Sequence, residues 1–356
     1  VKLLVAGGGT GGHVFPALAI AREWLRRAKG REVVIVGTAR GMEARLVPAA
    51  GLPLETLRVR GLKGIGGRRF AGNLALLPLG LLDALGVLRR HRFAAALGVG
   101  GYASGPMILA AIFTGVPSVL FEPNVQPGFT NGVLGRLASR VAVAHEETAA
   151  RWAPKSVVTG CPVRAEFFNA PEPACGRPLR LLVTGGSQGS HVINRAVIGA
   201  LEHLAARKDE LSVVHQTGER EFADVREGYR RRAFPADVRP FLDDMPARFA
   251  EADLIVCRSG AITVAEMAAA GRAAIFIPFG AATDSHQLRN AQSMERAGAG
   301  RVITESELTP ERLAREILQF VDQPAQLAEI ARRARELGHP RATEEIVDLI
   351  EEVARA

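Results

Sequence analysis

The chain is nearly without lysine: five lysines stand against forty arginines, so almost all of its formal charge of +8 is guanidinium. A basic chain of this kind favours anionic partners, among them phosphates, nucleotides, nucleic acid and acidic membrane surfaces. Aromatic residues are also scarce, at 5%, which argues against a stacking platform for single-stranded nucleic acid. Only three cysteines occur, Cys161, Cys175 and Cys257. They form neither a C-x-x-C pair nor an even set, which excludes a thiolate zinc site and suits a reducing compartment. No D-x-D motif is present, and no pair of histidines or carboxylates has metal-ligand spacing. We therefore expect no metal and no cofactor, and a bound diphosphate would be neutralised by helix dipoles, backbone donors and arginine. A long spanning segment is missing too. Residues 93–121 carry no charge for 29 positions, but Gly100-Gly101, Gly105-Pro106, Gly115 and Pro117 divide them into strand (Ala94–Val99), helix (Pro106–Phe113) and strand (Ser118–Phe121). Val1 to Val5 reads as a short buried strand and not as a leader peptide, which places the chain inside the cell.

What the chain does have is size and repetition. At 356 residues and 47% hydrophobic it is long enough for two domains with full cores. Residues 3–13 (LLVAGGGTGGH) and 181–191 (LLVTGGSQGSH) match at seven of eleven positions without a gap, at an offset of 178. Each copy is an apolar strand, a glycine-rich turn and a helix-periodic segment, Val14–Leu25 or Val192–Leu204. Further strand-like runs at Glu32–Gly37, Val141–Ala144, Ser212–Gln216, Leu254–Cys257 and Ala274–Pro278 alternate with helical patterns. The fold class is α/β, two Rossmann-like doubly wound domains with helices on both faces of parallel sheets. Ligands in such sheets bind beyond the carboxyl ends of the strands, so we expect a cleft lined by both glycine turns. The proline-rich stretch 169–178 reads as a linker, with domains at 1–162 and 163–340 and a final helix, 341–356, joining the first.

Gly7-Gly-Gly-Thr-Gly-Gly12 fits G-x-G-x-x-G, which lets backbone amides approach a phosphate or sugar at a helix N-terminus. A dinucleotide site needs an acidic residue after the second strand, yet Gly37-Thr38-Ala39-Arg40 stands there. The second turn, Gly185-Gly-Ser-Gln-Gly-Ser190, lacks the P-loop lysine and replaces glycines with hydroxyl and amide groups suited to a diphosphate. His13, beside the first helix start, is either a general base with a lowered pKa or a histidine capping its own loop. Glu266, after the glycine turn of Cys257-Arg-Ser-Gly-Ala-Ile-Thr-Val-Ala-Glu266, is either a ribose acceptor or an exposed helix glutamate. In Pro278–Gln287, Asp284 reads as an N-cap, with His286 and Gln287 placed to read sugar hydroxyls or merely to start a helix. Leu74–Leu88 is apolar nearly all round and flanked by Lys63, Arg68, Arg69, Arg89 and Arg90, which reads as a surface dipping into an anionic membrane or as a buried helix.

Taken together, Gly8-Gly-Thr-Gly-Gly-His-Val-Phe-Pro16, Gly100-Gly-Tyr-Ala-Ser-Gly-Pro106, Gly185-Gly-Ser-Gln-Gly189, Phe241-Leu-Asp-Asp-Met245 and Cys257–Glu266 closely resemble the MurG family of bacterial N-acetylglucosaminyltransferases. The resemblance runs in order along nearly the whole chain. It implies a GT-B fold, a C-terminal domain for the sugar nucleotide and an N-terminal domain for a lipid acceptor. The implied reaction moves N-acetylglucosamine from UDP-N-acetylglucosamine to the C4 hydroxyl of the muramyl sugar in lipid I, with inversion, giving lipid II and UDP in peptidoglycan synthesis. The implied location is the cytoplasmic face of the cell membrane, as a peripheral protein. By this likeness Thr10, Gly11 and Gly12 contact the donor-sugar side and His13 helps to deprotonate the acceptor. Glu122 and Asn124 line the cleft, and Arg164, Ser187 and Gln188 hold the diphosphate. Leu242 meets uracil through its backbone, Ser259, Ala261, Ile262 and Thr263 lie along the phosphates, Glu266 binds the ribose, and His286 and Gln287 read the sugar. The chain departs from the family pattern at His286, where some members carry glutamine, and at Phe121, where others carry histidine. Competing readings are a glycosyltransferase acting on diacylglycerol or a natural product, a UDP-N-acetylglucosamine 2-epimerase, and a basic nucleic-acid-binding protein.

Overall fold

Uninterrupted aliphatic runs become strands buried on both faces, as parallel sheets require. A computed structural model describes residues 1–59, 76–280 and 285–355. Its chain divides into two compact units, Val1–Val163 with His339–Ala356, and Arg164–Gly338. In the first unit β1 (Lys2–Ala6), β2 (Glu32–Gly37), β3 (Leu54–Thr56), β4 (Ala95–Gly98), β5 (Ser118–Glu122), β6 (Arg140–Val143) and β7 (Ser156–Val158) form a parallel sheet in the order β3-β2-β1-β4-β5-β6-β7. Register places Leu3 between Val33 and Ala95. In the second unit β8 (Leu179–Thr184), β9 (Leu211–Gln216), β10 (Ala236–Arg239), β11 (Leu254–Cys257), β12 (Ala273–Phe276) and β13 (Arg301–Val302) run parallel in the order β10-β9-β8-β11-β12-β13.

Each sheet reverses its strand order once, between β1 and β4 in the first unit and between β8 and β11 in the second. A doubly wound sheet leaves its ligand crevice at that reversal, beyond the carboxyl ends of the strands. Both glycine turns follow the strand that begins the reversal. This placement, and not the glycine pattern alone, makes them site candidates.

The uncharged stretch 93–121 resolves into β4, the helix Ser104–Phe113 and β5, and among the described residues no helix is long and apolar enough to cross a membrane. The first helix, Gly11–Arg27, is fixed to β2 by Trp24, whose indole donates to the Glu32 carbonyl at 3.0 Å and lies under the Arg31 guanidinium. With Trp24 1% exposed, truncation to alanine is expected to cost about 3–5 kcal/mol. The last helix, Ala342–Arg355, buries Ile346, Val347, Ile350 and Val353 and pairs Asp348 and Glu351 with Arg27 at 2.6 and 3.1 Å.

Three expectations change. The stretch 169–178 is not a loose linker: Arg272 donates to Pro171 O at 2.7 Å and Arg335 to Ala170 O at 2.7 Å, while Cys175 N donates to Asp253. Its prolines forbid a helix, and its carbonyls are used by the buried Arg272 and the half-buried Arg335. The helix Leu77–Arg90 is neither wholly buried nor wholly exposed. Gly80, Ala84 and Val87 are buried, whereas Leu82 is 61% exposed, and Pro78 lies at its first turn, where a missing amide costs nothing. The cap position of the helix His286–Arg296 is held by Ser285. Asp284, Lys63, Arg68, Arg69 and Leu74 lie outside the described residues.

Candidate active site

In the first unit the chain leaves β1 through Gly7–Thr10 and enters the helix Gly11–Arg27 with Thr10 at the cap position. Thr10 is exposed, and its hydroxyl makes no capping bond. Gly11, Gly12 and His13 form the first helical turn. The His13 ring reaches across to the loop after β4, where its Nδ1 lies 2.9 Å from the Val99 carbonyl. A carbonyl only accepts, so Nδ1 carries the proton and Nε2 keeps its lone pair. Burial pushes the His13 pKa below its ordinary value of 6.5, against the Val99 hydrogen bond and the field of Glu43, which raise it. The approach needs glycine at position 100, since a Cβ there would meet the ring at 2.8 Å on a backbone with φ of +91°. His13 is therefore held by another loop and does not cap its own.

Glu122 behaves differently from its expected place lining a cleft. It ends β5 at 1% exposure. Its Oε1 accepts the Asn124 amide and side chain, each at 3.0 Å, and its Oε2 accepts Gly128 N at 3.1 Å and Asn131 Nδ2 at 2.9 Å. Burial pushes its pKa up, against these donors. A carboxylate this satisfied shapes the loop, and the loop presents the half-buried Asn124.

In the second unit Ser187 and Gln188 are exposed at the tip of the turn after β8. Ser190 begins the helix His191–Leu204 and accepts Ile193 N through its hydroxyl. Below the turn lies a residue that the sequence reading missed. Gln216, fully buried at the end of β9, donates to Gly186 O at 2.9 Å and accepts Leu242 N at 3.0 Å. The Leu242 amide is thereby used, so a backbone contact from Leu242 to a base falls to its carbonyl. A polar residue closing an apolar strand is the signal that could have found Gln216.

After β11 the turn Arg258–Gly260 leads into the helix Ala261–Ala270, with Ala261, Ile262 and Thr263 in its first turn. Ser259 is fully buried, and its hydroxyl donates to Gln287 O at 2.8 Å. It ties two helix starts together. Gln287 accepts Phe279 N through Oε1 at 3.0 Å, which leaves its amide NH2 as the donor toward a sugar. His286 is half-buried beside it. Glu266 is half-buried and not exposed. Burial pushes its pKa up to about 7, opposed by the charge of Arg164. Arg164 itself is exposed, with its guanidinium 5.1 Å from the Phe167 ring. Arg258, also unforeseen, donates to Ser190 Oγ at 2.8 Å and to Ile277 O at 3.0 Å. Within this unit the structure gathers the turn 185–190, the loop at Leu242 and the start of Ala261–Ala270 at the carboxyl ends of β8, β9 and β11. Among the described residues no three of His, Cys, Asp and Glu come together as a metal ligand set.

Comparison with known proteins gives the family. Residues 3–143 match the Glycosyltransferase family 28 N-terminal domain, and residues 180–352 match the Glycosyltransferase family 28 C-terminal domain. A transferase of Anaeromyxobacter dehalogenans, described as UDP-N-acetylglucosamine--N-acetylmuramyl-(pentapeptide) pyrophosphoryl-undecaprenol N-acetylglucosamine transferase, is 47% identical over 100% of this chain and 94% of its own. A protein of the same description from Myxococcus xanthus is 43% identical over 98% of this chain and 92% of its own. The crystal structure of Acinetobacter baumannii MurG superposes with a TM-score of 0.83 at 33% identity, covering 99% of both chains. The chain has the GT-B fold and belongs to glycosyltransferase family 28, in its MurG branch.

Proposed function

We propose that this chain transfers N-acetylglucosamine from UDP-N-acetylglucosamine to the C4 hydroxyl of lipid I, giving lipid II and UDP. The single observation that carries the reading is the 47% identity, over the full chain, to a transferase of that description. The site residues supply the chemistry. The acceptor oxygen attacks the anomeric carbon, the bond from that carbon to the diphosphate oxygen breaks, and the hydroxyl proton passes to Nε2 of His13. One direct displacement inverts the anomeric centre. Thr10, Gly11 and Gly12 offer a hydroxyl and helix-terminal amides to the donor sugar, and Asn124 its side-chain amide.

The leaving UDP falls to the second unit. Ser187, Gln188, the first-turn amides of Ala261, Ile262 and Thr263, and Arg164 face its two phosphates. The Leu242 carbonyl takes the base, Glu266 accepts the two ribose hydroxyls, and Gln287 with His286 reads the sugar. The N-terminal unit is the acceptor side and the C-terminal unit the donor side. Incubating the protein with labelled UDP-N-acetylglucosamine and lipid I, then identifying the lipid product, tests the reaction. An unmodified lipid or a free epimerised sugar nucleotide overturns it.

The lipid acceptor also calls for a membrane surface. Leu82 on the helix Leu77–Arg90 and Phe113 at the end of Ser104–Phe113 are 61% and 74% exposed, and Arg89 and Arg90 close the first of these helices. Exposed apolar side chains on a helix with a basic end support peripheral attachment to an anionic leaflet on the cytoplasmic face. Leu82→Asp should weaken sedimentation with phosphatidylglycerol vesicles, and unchanged binding removes the helix from the membrane surface.

A further inference from the structure

Beneath the first glycine turn lies a carboxylate to which the transfer chemistry above gives no part. Glu43 opens the helix Glu43–Ala49, beyond β2, and is 1% exposed. Its Oε2 accepts the Gly9 amide at 2.7 Å. Its Oε1 accepts both the amide and the hydroxyl of Thr38 at 2.8 Å. Three glycines make room for it: a Cβ on Gly8, Gly37 or Gly41 would come within 2.3, 2.5 or 2.1 Å of its side chain. The sequence has thus cleared space on three sides for one buried acid.

Burying a carboxylate is costly unless donors satisfy it. Burial pushes the Glu43 pKa up, but the amides of Gly9, Glu43 and Thr38 and the Thr38 hydroxyl outweigh it and hold the group below the ordinary carboxylate value. The side chain is therefore ionised. It grips the turn from which the His13 helix starts, and its field reaches the imidazole. The ring also meets the Val99 carbonyl and the Gly100 backbone, both uncharged. Tyr102 also stands over the turn, beside Gly9.

We propose that Glu43 is a positioning residue for the transfer, seating the Gly7–Thr10 turn from below and keeping a fixed negative charge behind His13. The proposal rests on reading His13 as the base. As the imidazole takes the acceptor proton, the charge that develops on it is met by a carboxylate already in place, at no cost of reorganisation at that moment.

The test uses the full chain carrying Glu43→Gln or Glu43→Asp. Transfer is measured with UDP-N-acetylglucosamine and lipid I across pH, and the His13 imidazole is titrated by NMR, its resonance identified as the one lost in His13→Ala. Glu43→Gln should lower kcat on the order of 10²-fold, the scale of a small misplacement of a reacting group. It should leave KM for the sugar nucleotide within about twofold and move the His13 titration to lower pH. Glu43→Asp, which keeps the charge, should return that titration toward the parent position and recover part of the rate. Gly41→Ala, which displaces the carboxylate by contact, should act in the same direction as Glu43→Gln and serves if that variant does not fold. An imidazole titration unmoved by Glu43→Gln overturns the proposal while leaving His13 as base if His13→Ala is inactive. A moved titration with an unaltered kcat overturns the role of Glu43 alone, and an active His13→Ala overturns His13 as base.

Discussion

The first glycine turn rests on Glu43 and the second on Arg258. Both turns follow the strand at which their sheet reverses order, both end in a histidine, and seven of eleven residues around them coincide. The turn after β1 nevertheless has a buried anion below it. The turn after β8 has a guanidinium that is 12% exposed, donates to Ser190 and pairs with Glu305 at 2.7 Å. The histidines diverge as well: His13 donates inward to Val99 and keeps Nε2 for chemistry, while His191 is exposed against Glu221. On the proposed reading, one repeated turn serves two chemistries according to the charge placed beneath it. A negative support suits a group that becomes cationic, and a positive support suits a diphosphate.

The most direct way to break this comparison is His13→Ala. We expect kcat to fall by about 10²–10⁴-fold, the usual worth of a general base, with UDP affinity by calorimetry unchanged because UDP falls to the other unit. Equal losses in turnover and affinity would place His13 on the nucleotide and dissolve the contrast. The mirror experiment is Arg258→Met. It should weaken UDP binding by roughly 10- to 100-fold, about 1.4–2.8 kcal/mol, while kcat at saturating donor changes little. Removing the cation also takes the ion-pair partner from Glu305, which keeps the Gly280 amide. Arg258→Met/Glu305→Gln separates the two effects: recovered melting temperature with affinity still low assigns the loss to the missing positive charge.

A third test uses pH. With its pKa pushed up to about 7 by burial, Glu266 is protonated below that value and is an acceptor of both ribose hydroxyls only above it. UDP affinity should therefore fall as pH drops below about 7, by up to about tenfold per unit, and Glu266→Gln should flatten the curve. His13 moves the other way, because it must be neutral to act. Its lowered pKa keeps it neutral to below pH 6.5, so the acidic limb of kcat/KM is expected to follow Glu266 and not His13. An acid limb that persists in Glu266→Gln at the same pH would reassign it.

Much of the fold is legible in the sequence because an aliphatic run followed by glycines has few solutions: a buried strand, a tight turn and a helix. Glu32–Gly37 and Leu254–Cys257 are strands at those bounds. The edge strands Leu54–Thr56 and Ser156–Val158 are not legible, since each is three residues long with no buried position. The site divides in the same manner. His13, Glu266 and Gln287 stand where strand ends and helix starts must bring them. The family likeness places Ser259 and Glu122 at the ligand, yet they are buried, and a motif match does not distinguish a hydroxyl facing a substrate from one facing a backbone carbonyl. Gln216, Arg258 and Glu43 escape because their partners lie 19 to 68 residues away, as with Ile277, Leu242 and Ser190, or because three separate glycines shape the space, as with Glu43.

The smallest expected effect gives the sharpest form of the comparison, because it asks the same question at the cap position of both helices. Thr10 and Ser190 each occupy the cap position of the helix that follows. Only Ser190 caps: its hydroxyl accepts Ile193 N at 3.4 Å and also the Arg258 guanidinium at 2.8 Å, whereas the Thr10 hydroxyl makes no capping bond. Ser190→Ala should therefore cost about 1 kcal/mol of stability, the ordinary worth of a lost cap, read from the urea midpoint of the C-terminal unit within the full chain. Thr10→Ala should leave the midpoint of its own unit within about 0.5 kcal/mol, as for a surface substitution, and its effect should instead be on turnover. If Thr10→Ala is the one that destabilises, its hydroxyl is serving the helix and is not available to the sugar. The first turn would then be a structural copy of the second, with His13 as its one chemical group.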